Sequence, residues 1–286
     1  SANPQWVRTA FPLPHISYEE AMELAYFGAH IIHPKMIAAA QNAKRPIIVK
    51  SSLAPQQAGT TISDNAPPCP YAVRGLTSVE HLALITLSGS GLIGVSGMSA
   101  RTFQSLREEK ISVVLITQAS AEHSICFCVP AAQGKQAQEA LQRCFATELS
   151  QGEVSDVSLE MDCAIVAVVG EAMAGRLGIA GRMCHTLAKA QVNIRAIAQG
   201  ASERNISVVV NQSDVLRALR ALHGGFYLSN KTIAIAVIGT GGVASALLDQ
   251  LAMAAHTLRD KKGIHLSVYA ITNSRQMLLS DRGIDL

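Results

Sequence analysis

The chain has 286 residues, of which 49% are apolar and 16% are charged, and its formal net charge at pH 7 is +3. This length can bury a full core and usually makes two or three domains. The modest charge gives no electrostatic case for binding nucleic acid or a membrane surface. The most apolar window, residues 232–248, has three glycines after Ile238, so it predicts a strand, a turn and a helix rather than a membrane span.

Cysteine usage indicates the compartment. The six cysteines show no C-x-x-C pair and no Cys/His spacing typical of a metal site, so we expect none. Cys126 and Cys128, separated by one residue, lie on the same side of a predicted strand, which favours buried thiols over a metal or redox pair. No signal peptide is recognisable, which predicts a reducing cytoplasm. Because the chain starts without Met and stops abruptly at Leu286, we expect a fragment.

The first 62 residues predict two helices and a strand but no catalytic constellation. Ser17 and Glu20 form a capping-box pattern ahead of an apolar helical run. Two prolines then delimit a second helix, and a strand follows at residues 47–50. His33 is a candidate catalytic base, but no paired carboxylate or nucleophile lies near it in sequence, so we favour a structural role.

The sequence repeats itself after a short linker. Residues 63–70, SDNAPPCP, are polar and proline-rich, which is typical of a linker. Beyond them the chain matches itself without a gap at an offset of 81 residues, and an internal duplication is the best explanation. The identical pairs include Gly89 and Gly170, Gly94 and Gly175, Gly97 and Gly178, Arg101 and Arg182, Gln118 and Gln199, and Glu122 and Glu203.

Each copy predicts the element order βαββαβ, from apolar runs, glycine-bearing turns and helical periodicity. This order describes a ferredoxin-like α/β (α+β) unit, with an antiparallel sheet and both helices on one face. Such a sheet leaves its other face or an edge free for a partner. For the first and second copy, the predicted segments are a strand at 81–87 and 162–169, a helix at 98–110 and 179–191, two strands around a turn at 119–122 and 200–203, a helix at 133–149 and 213–222, and a closing strand at 154–160 and 225–228.

A dinucleotide-binding pattern lies in the last stretch of the chain. The sequence GTGGVA follows an apolar strand and precedes a helix predicted at residues 243–258, and a second strand follows at residues 265–271. Backbone N–H groups at the helix start would bind the pyrophosphate of NAD or NADP. The predicted cofactor-binding residues of this turn are Gly239, Gly241, Gly242 and Ala244.

The residues after the second strand bear on the choice of cofactor. The strand ends in TNSR rather than in the acidic residue that holds a ribose 2′-hydroxyl. With Arg275 close by, this favours tolerance of NADP. The alternative, that Arg275 is a solvated loop residue, stays open. We expect half a Rossmann fold to bind the cofactor weakly and to expose apolar surface.

Three stretches carry a resemblance to one family. LITQASAEHSICFCV and IAQGASERNISVVV resemble the tandem ACT regulatory domains of the threonine-sensitive bifunctional aspartokinase/homoserine dehydrogenases. ISYEEAMELAYFGAHIIHPKMI resembles the end of the aspartokinase catalytic domain, and the GTGGVA stretch resembles the start of homoserine dehydrogenase. The resemblance implies a kinase remnant at residues 1–62, a linker at 63–70, ACT modules at 71–160 and 161–229, and the start of the NAD(P)-binding domain, an incomplete Rossmann unit, at 230–286.

The resemblance also bears on activity. In this family the nucleotide-binding segments of the kinase lie upstream of the matching stretch, so ATP would serve a part that is missing here, and we expect no catalytic residue in this chain. One ACT module can borrow a strand from outside its own stretch in this family, so the limit between the modules near Gly152 is left open.

By resemblance, Gln118 and Gln199 are the residues that contact threonine, and their chemistry fits. The glycine-rich turns at residues 89–97 and 170–178 offer N–H groups for the ligand carboxylate, and strand-end carbonyls can accept from its ammonium. A glutamine amide both donates and accepts, so it pairs with a hydroxyl and disfavours ligands that lack one. Without the duplication, each glutamine would be read as a hairpin residue that satisfies backbone groups.

These observations leave functions of different classes. The first is an allosteric module of a homo-oligomer, in which threonine binds between the modules of two subunits and biases the flanking enzymes toward inactive arrangements. The alternative is a constitutive dimerisation scaffold that has lost ligand binding. A standalone dehydrogenase is disfavoured, because too few residues follow Gly239 to complete a sheet and a substrate site.

Overall fold

The computed structural model describes residues 1–29, 32–64, 66–67, 71–90, 97–118, 124–227, 231–262 and 264–284. The described residues form a small N-terminal sheet, a central six-stranded sheet and a C-terminal sheet. The predicted linker, residues 63–70, falls only partly within them.

The N-terminal part packs two helices against a small sheet of order β1-β3-β2. The predicted capping box is confirmed: the Glu20 backbone N–H donates to Ser17 Oγ at 3.0 Å, and the Ser17 N–H donates to the Glu20 carboxylate at 3.2 Å. His33 is exposed, and its Nδ1 accepts from the Lys35 N–H at 3.2 Å, so it caps the second helix as a structural residue. The elements are β1 (His15–Ile16), α1 (Tyr18–Tyr26), α2 (Pro34–Asn42), β2 (Ile47–Val49) and β3 (Thr60–Ile62).

The two repeats fold into one central sheet of order β5-β6-β4-β7-β9-β8. The helix predicted at residues 133–149 is broken at the buried Phe145, and the helix predicted at 213–222 continues five residues further, to Tyr227. The elements are β4 (Gly75–Ser88), α3 (Met98–Glu108), β5 (Leu115–Gln118), β6 (Ser124–Pro130), α4 (Gly134–Cys144), α5 (Ala146–Ser150), β7 (Asp156–Val169), α6 (Ile179–Lys189), β8 (Ala196–Gln199), β9 (Asn205–Asn211) and α7 (Val215–Tyr227).

Backbone conformation repeats at the same offset as the sequence. His81 and Asp162, 81 residues apart, both have left-handed φ values, 58° and 56°, although their side chains differ. Gly97 and Gly178, which precede α3 and α6, have φ values of 92° and 84°. Left-handed non-glycine residues are uncommon, so their recurrence at matching places supports the duplication independently of residue identity.

The second repeat is closed by a strand segment of the first, and the first repeat is closed by the segment that leads into the second. The first half of β4, from Gly75 to Val79, pairs with the second half of β7, and the first half of β7 pairs with the second half of β4. His81 and Asp162 are the bulged residues at which each strand passes from one repeat to the other. The closing strand predicted for the first copy at 154–160 is present: residues 156–160 pair with the second half of β4. It continues without a break into the first strand of the second copy, and the two together form β7.

The closing strand predicted at residues 225–228 is wrong. Residues 225–227 continue α7, and residue 228 lies outside the described part of the chain. A Cβ on Gly225 would come within 2.7 Å of Thr186 Oγ1, so this glycine allows α7 to approach α6 closely. Phe226 and Tyr227 are buried in the same core, which favours helix over the sheet edge.

The helices cover one face of the central sheet, and the opposite face does not lie open. Along β4, Ala83 and Ile85 pack under α3 and α4, whereas Leu82 and Leu84 belong to a separate apolar cluster on the other face. The edge strands approach each other around that cluster, because the Thr117 hydroxyl of β5 donates to the Ile197 carbonyl of β8 at 2.9 Å. The first alternative, a free sheet face, is thus wrong, because the sheet curls and covers that face. The second alternative, a free edge, stays a prediction.

The C-terminal part is a βαβ unit with an added strand. Its elements are β10 (Lys231–Ile238), α8 (Gly242–Lys262), β11 (Ile264–Thr272) and β12 (Met277–Ile284). The predicted strand, helix and second strand are present, with β10 and β11 parallel. The third strand was not predicted, and it runs antiparallel to β11. Within the residues described, no helix combines the length and apolarity needed to cross a membrane.

Candidate functional site

Gln118 and Gln199 occupy equivalent, exposed positions at the ends of the two edge strands. Gln118 ends β5 and pairs with Ile125, and Gln199 ends β8 and pairs with Ile206. Both side chains are exposed, so neither amide is enclosed in the core. Because β5 and β8 meet at the Thr117–Ile197 contact, the two glutamines lie on neighbouring strands.

The glycine-rich segment of the second repeat, residues 170–178, leads from β7 into α6. Gly178 precedes the helix with φ of 84°, and no side chain caps the first helical turn. Gly175 has φ of 68°, which only glycine adopts readily. The N–H groups of residues 170, 171 and 173–176 already donate to oxygen atoms of the protein. The described N–H groups that best suit the predicted carboxylate site are therefore those at the uncapped start of α6.

Glu203 joins this segment to the hairpin that carries Gln199. The Gly175 N–H donates to Glu203 Oε2 at 2.6 Å, and the Glu203 N–H donates to the Gly200 carbonyl at 3.0 Å. The structure thus brings the predicted N–H donors and the end of β8 to the same end of the second repeat. The sequence reasoning missed this role, although the identity of Glu122 and Glu203 at the 81-residue offset was its signal.

A polar cavity of about 410 Å³ is lined by the end of the segment and the start of α6. Its lining includes Gly178 and the arginines Arg176 and Arg182, whose guanidinium groups favour an anionic ligand. Tyr71 and Phe226 supply apolar wall. Gln199 does not line this cavity. The segment contacts the hairpin that carries Gln199 through Glu203, which accepts from the Gly175 N–H.

A buried carboxylate links the segment to α1. Glu20 Oε1 accepts from the Glu171 N–H at 3.0 Å and from Arg74 Nε at 3.2 Å. The side chains of Glu20 and Arg74 are 2% and 9% exposed. The start of the glycine-rich segment is therefore hydrogen-bonded to the helix of the N-terminal part.

Further contacts of α1 reach both repeats. Glu23 Oε2 accepts from Asn205 Nδ2 at 2.6 Å, at the start of β9. The Tyr26 hydroxyl donates to the Val114 carbonyl at 3.3 Å, immediately before β5. Helix α1 thus contacts β9, which pairs with the strand that ends at Gln199, and the residue before β5, the strand that ends at Gln118.

The first repeat is described only in part. Residues 91–96 and 119–123, which include Gly94 and Glu122, lie outside the described residues. Gly89 is described, and a Cβ there would lie 2.2 Å from the Glu153 carbonyl oxygen. The equivalent Gly170 is crowded in the same way, 2.3 Å from the Ala72 carbonyl oxygen. Because neither residue has a Cβ, another stretch of backbone can pass close to the chain at the start of each glycine-rich segment.

The cysteines on β6 are structural. Cys128 is buried and faces the cluster on the helix-free side of the sheet, together with the partly buried Cys126. Burial raises the pKa of the Cys128 thiol to about 12, and burial likewise raises the pKa of Cys163. Thiols held protonated in this way are poor nucleophiles and poor metal ligands.

The predicted dinucleotide turn lies at the carboxyl end of β10. Gly239 has φ of 106°, and its N–H donates to the Thr272 carbonyl at 2.6 Å. A Cβ on Gly241 or Gly242 would meet no atom within 4 Å, so the space above the start of α8 is open to a ligand. An adjoining cavity of about 450 Å³ is lined by Gly239, Gly241, Gly242 and Ala244, among others. These features fit a pyrophosphate at the helix start.

The turn after β11 lies beside the glycine turn. Asn273 Nδ2 donates to Thr240 Oγ1 at 3.2 Å, and Asn273 Oδ1 accepts from the Arg275 N–H at 2.8 Å. Arg275 is exposed. Its backbone is thus ordered next to the predicted cofactor turn, while its guanidinium is free to meet either solvent or a 2′-phosphate.

Comparison with known proteins shows what this arrangement is similar to. A sequence model of the ACT domain matches residues 85–145 and 166–226, two stretches that are themselves 81 residues apart. A model of the amino acid kinase family matches residues 1–51. This chain carries tandem ACT domains after the end of an amino acid kinase domain.

Relatives of the tandem ACT chain include bifunctional enzymes. It is 40% identical to the chloroplastic bifunctional aspartokinase/homoserine dehydrogenase 1 of Arabidopsis thaliana, over 100% of this chain and 32% of that protein. It is 38% identical to the bifunctional aspartokinase/homoserine dehydrogenase of Haemophilus influenzae, over 100% of this chain and 35% of that protein. The tandem ACT chain therefore spans about a third of the length of these curated relatives.

Two crystal structures of E. coli aspartokinase III resemble the fold. One, in complex with aspartate and ADP and named the R-state, has a TM-score of 0.67 and 27% identity, covering 79% of the tandem ACT chain and 49% of that chain. The other, in complex with lysine and aspartate and named the T-state, has a TM-score of 0.63 and 28% identity over the same shares. The tandem ACT region is thus of the kind found in aspartokinases, which fits regulation by an amino acid.

Proposed function

We propose that the tandem ACT chain is the threonine-binding regulatory region of a bifunctional aspartokinase/homoserine dehydrogenase. The observation that carries the proposal is the placement of Gln118 and Gln199 at equivalent exposed strand ends, in repeats that fold alike. Support comes from E. coli aspartokinase III, whose structures with and without lysine are named T-state and R-state. The complex with lysine and the complex with ADP carry different state names, which supports a role for this region in binding a regulatory amino acid.

The ligand chemistry favours a hydroxylated amino acid. The Gly175 N–H and the uncapped N–H groups at the start of α6 suit a carboxylate, and the Gln199 amide can donate to or accept from a hydroxyl. If the amide is to be paired when the ligand is bound, a ligand without a hydroxyl leaves it unsatisfied and binds more weakly. Threonine meets both requirements, and valine, which has the same shape, meets only the first.

The link from site to enzyme runs through α1. Glu20 accepts from the Glu171 N–H, and α1 belongs to the stretch that matches the amino acid kinase family. Binding that moves residues 170–178 would therefore alter how α1 is held. In the whole protein, the kinase would use ATP and the dehydrogenase would use NADP or NAD. Residues 1–62 would be the kinase remnant, residues 71–160 and 161–229 the two ACT modules, and residues 230–286 the start of the dehydrogenase. We further propose a homo-oligomer formed through the ACT modules and a cytoplasmic location; the Arabidopsis relative is named chloroplastic.

Isothermal titration with L-threonine, L-serine and L-valine tests the proposed function. We expect threonine to bind two classes of site and valine to bind at least ten-fold more weakly. Gln118→Ala and Gln199→Ala should each weaken one site by about ten-fold and leave the other unchanged. A chain that gives no heat with threonine, and forms the same dimer with the same melting temperature in its absence and presence, would instead be a constitutive scaffold.

The glycine turn of the C-terminal part makes a second binding function testable. We propose that residues 239–244 bind the pyrophosphate of NADP or NAD, and that Arg275 meets the 2′-phosphate of NADP. In a fluorescence titration, NADPH is expected to bind weakly, and Arg275→Ala is expected to weaken NADPH by about five-fold while leaving NADH unchanged. Equal effects on both cofactors would assign Arg275 to the solvated loop.

A further inference from the structure

We propose that the Glu203 carboxylate is a built-in competitor of the ligand carboxylate in the second repeat. It accepts a hydrogen bond from the Gly175 N–H, and an amino acid whose carboxylate binds there must displace it. This inference rests on the proposed function and adds the residue that sets the affinity of the site. We call the contact between Glu203 and Gly175 the carboxylate latch.

The geometry of the carboxylate latch is that of a bound carboxylate. Its N···O distance of 2.6 Å lies at the short end for an N–H donor and a charged acceptor. The donor belongs to the glycine-rich segment, and among the N–H groups of residues 173–176 it is the one that donates to a side chain rather than to a backbone carbonyl. Glu203 is exposed, so its carboxylate can leave the N–H group for water without crossing the core.

The backbone of Glu203 supports a role beyond packing. Its φ of 52° is left-handed, a conformation that costs a non-glycine residue free energy and that persists where surrounding contacts or function require it. Both partners of the latch are also duplicated: Gly94 and Glu122 stand at the positions of Gly175 and Glu203 in the first repeat. The donor and acceptor residues of the latch thus recur together in the sequence at the 81-residue offset.

The fold does not depend on the latch. The Gly170 N–H donates to the Arg204 carbonyl at 2.9 Å, which already joins the segment to the hairpin. The Arg182 N–H donates to the Gly178 carbonyl at 2.8 Å and starts α6 without help from Glu203. Since other bonds hold both elements, opening the latch frees an N–H group without unfolding the site, as a displaceable occupant requires.

Removing the competitor should tighten ligand binding. A net hydrogen bond to an exposed carboxylate corresponds to a change in affinity of roughly two-fold to ten-fold. We therefore expect Glu203→Gln to bind L-threonine in the second repeat several-fold more tightly than the unmodified chain. Glu203→Asp keeps the charge but shortens the side chain by one methylene, so it should tighten binding as well and separates loss of the contact from loss of charge.

Isothermal titration of the unmodified chain and the variants with L-threonine decides the proposal. Glu139→Gln, an exposed change of the same charge on α4, is the control and should leave the affinity unchanged. Tighter binding by both Glu203 variants supports the carboxylate latch, even if the unmodified chain gives no detectable heat. Unchanged or weaker binding by the variants, with the unmodified chain binding normally, overturns the latch alone. No binding by any of them overturns the latch and the proposed function together.

Discussion

Replacing Glu20 by Gln is expected to lower the free energy of unfolding by about 3–5 kcal/mol, because it leaves Arg74 as an uncompensated buried charge. The two side chains are almost fully buried and contact each other at 3.2 Å. The same change weakens the acceptor for the Glu171 N–H and for the capping box of α1. Urea denaturation followed by the fluorescence of Trp6, the single tryptophan, measures the loss.

Two variants make the Glu20 experiment specific. Glu19→Gln removes the same charge from the same helix at a half-buried position, and it should cost less than about 1 kcal/mol. Glu20→Gln combined with Arg74→Met removes both charges and should recover more than half of the loss. A Glu20→Gln variant that unfolds at the same urea concentration as the unmodified chain would show that the pair does not contribute to stability.

Glu20 also shows which part of the site is visible in the sequence. Its capping role was predictable because Ser17 and Glu20 are three residues apart on one element. Its contacts with Arg74 and Glu171 were not, because they join residues 54 and 151 positions away. No local periodicity reports such a pairing, although it is the link between α1 and the candidate site.

A Cβ at Gly170 is expected to destabilise the chain by about 1–3 kcal/mol, the usual effect of overpacking. In Gly170→Ala the new atom would lie 2.3 Å from the Ala72 carbonyl oxygen, a backbone atom that cannot turn away. The φ of Gly170 is 172°, extended backbone that any residue adopts, so the effect is steric alone. Thermal and urea unfolding measure the loss, and the threonine affinity of the second repeat should fall with it.

The chain supplies a matched pair of controls for Gly170. Gly89→Ala should cost a similar amount, since its Cβ would lie 2.2 Å from the Glu153 carbonyl oxygen at the equivalent place of the first repeat. Gly181→Ala lies in α6 with nothing within 4 Å and should stabilise by up to about 1 kcal/mol. If Gly170→Ala and Gly89→Ala behaved like Gly181→Ala, the close approach at the two segments would not exist.

Most of the central sheet was predictable from the duplication. The pairing of a strand segment of one repeat with a strand of the other was not. The apolar runs at residues 81–87 and 162–169 were recognised as strands, but Gly75–Val79, which closes the second repeat, was not. Its partner lies in the other repeat, and pairing between distant strands leaves no local pattern. In the sequence, His81 and Asp162 look like strand ends, because each is a polar residue beside an apolar run. In the structure, each is a left-handed bulged residue within a continuous strand.

For the candidate site, the sequence predicted the glutamines but not their surroundings. Gln118 and Gln199 stood out because their identity recurs at one offset, and the structure places both at exposed strand ends. Glu203 recurs in the same way, yet a carboxylate in a polar hairpin looks like a solvated residue. Only its bond to Gly175 shows that it occupies a donor of the site.

Hydrogen exchange of the whole chain with and without saturating L-threonine tests the central claim most directly, namely that two equivalent places sense one amino acid. The account predicts slower exchange in residues 89–97 and 118–122 and, at the 81-residue offset, in residues 170–178 and 199–203, with little change when L-valine is added at the same concentration. Unchanged exchange in both sets of segments, or equal protection by valine, would contradict it.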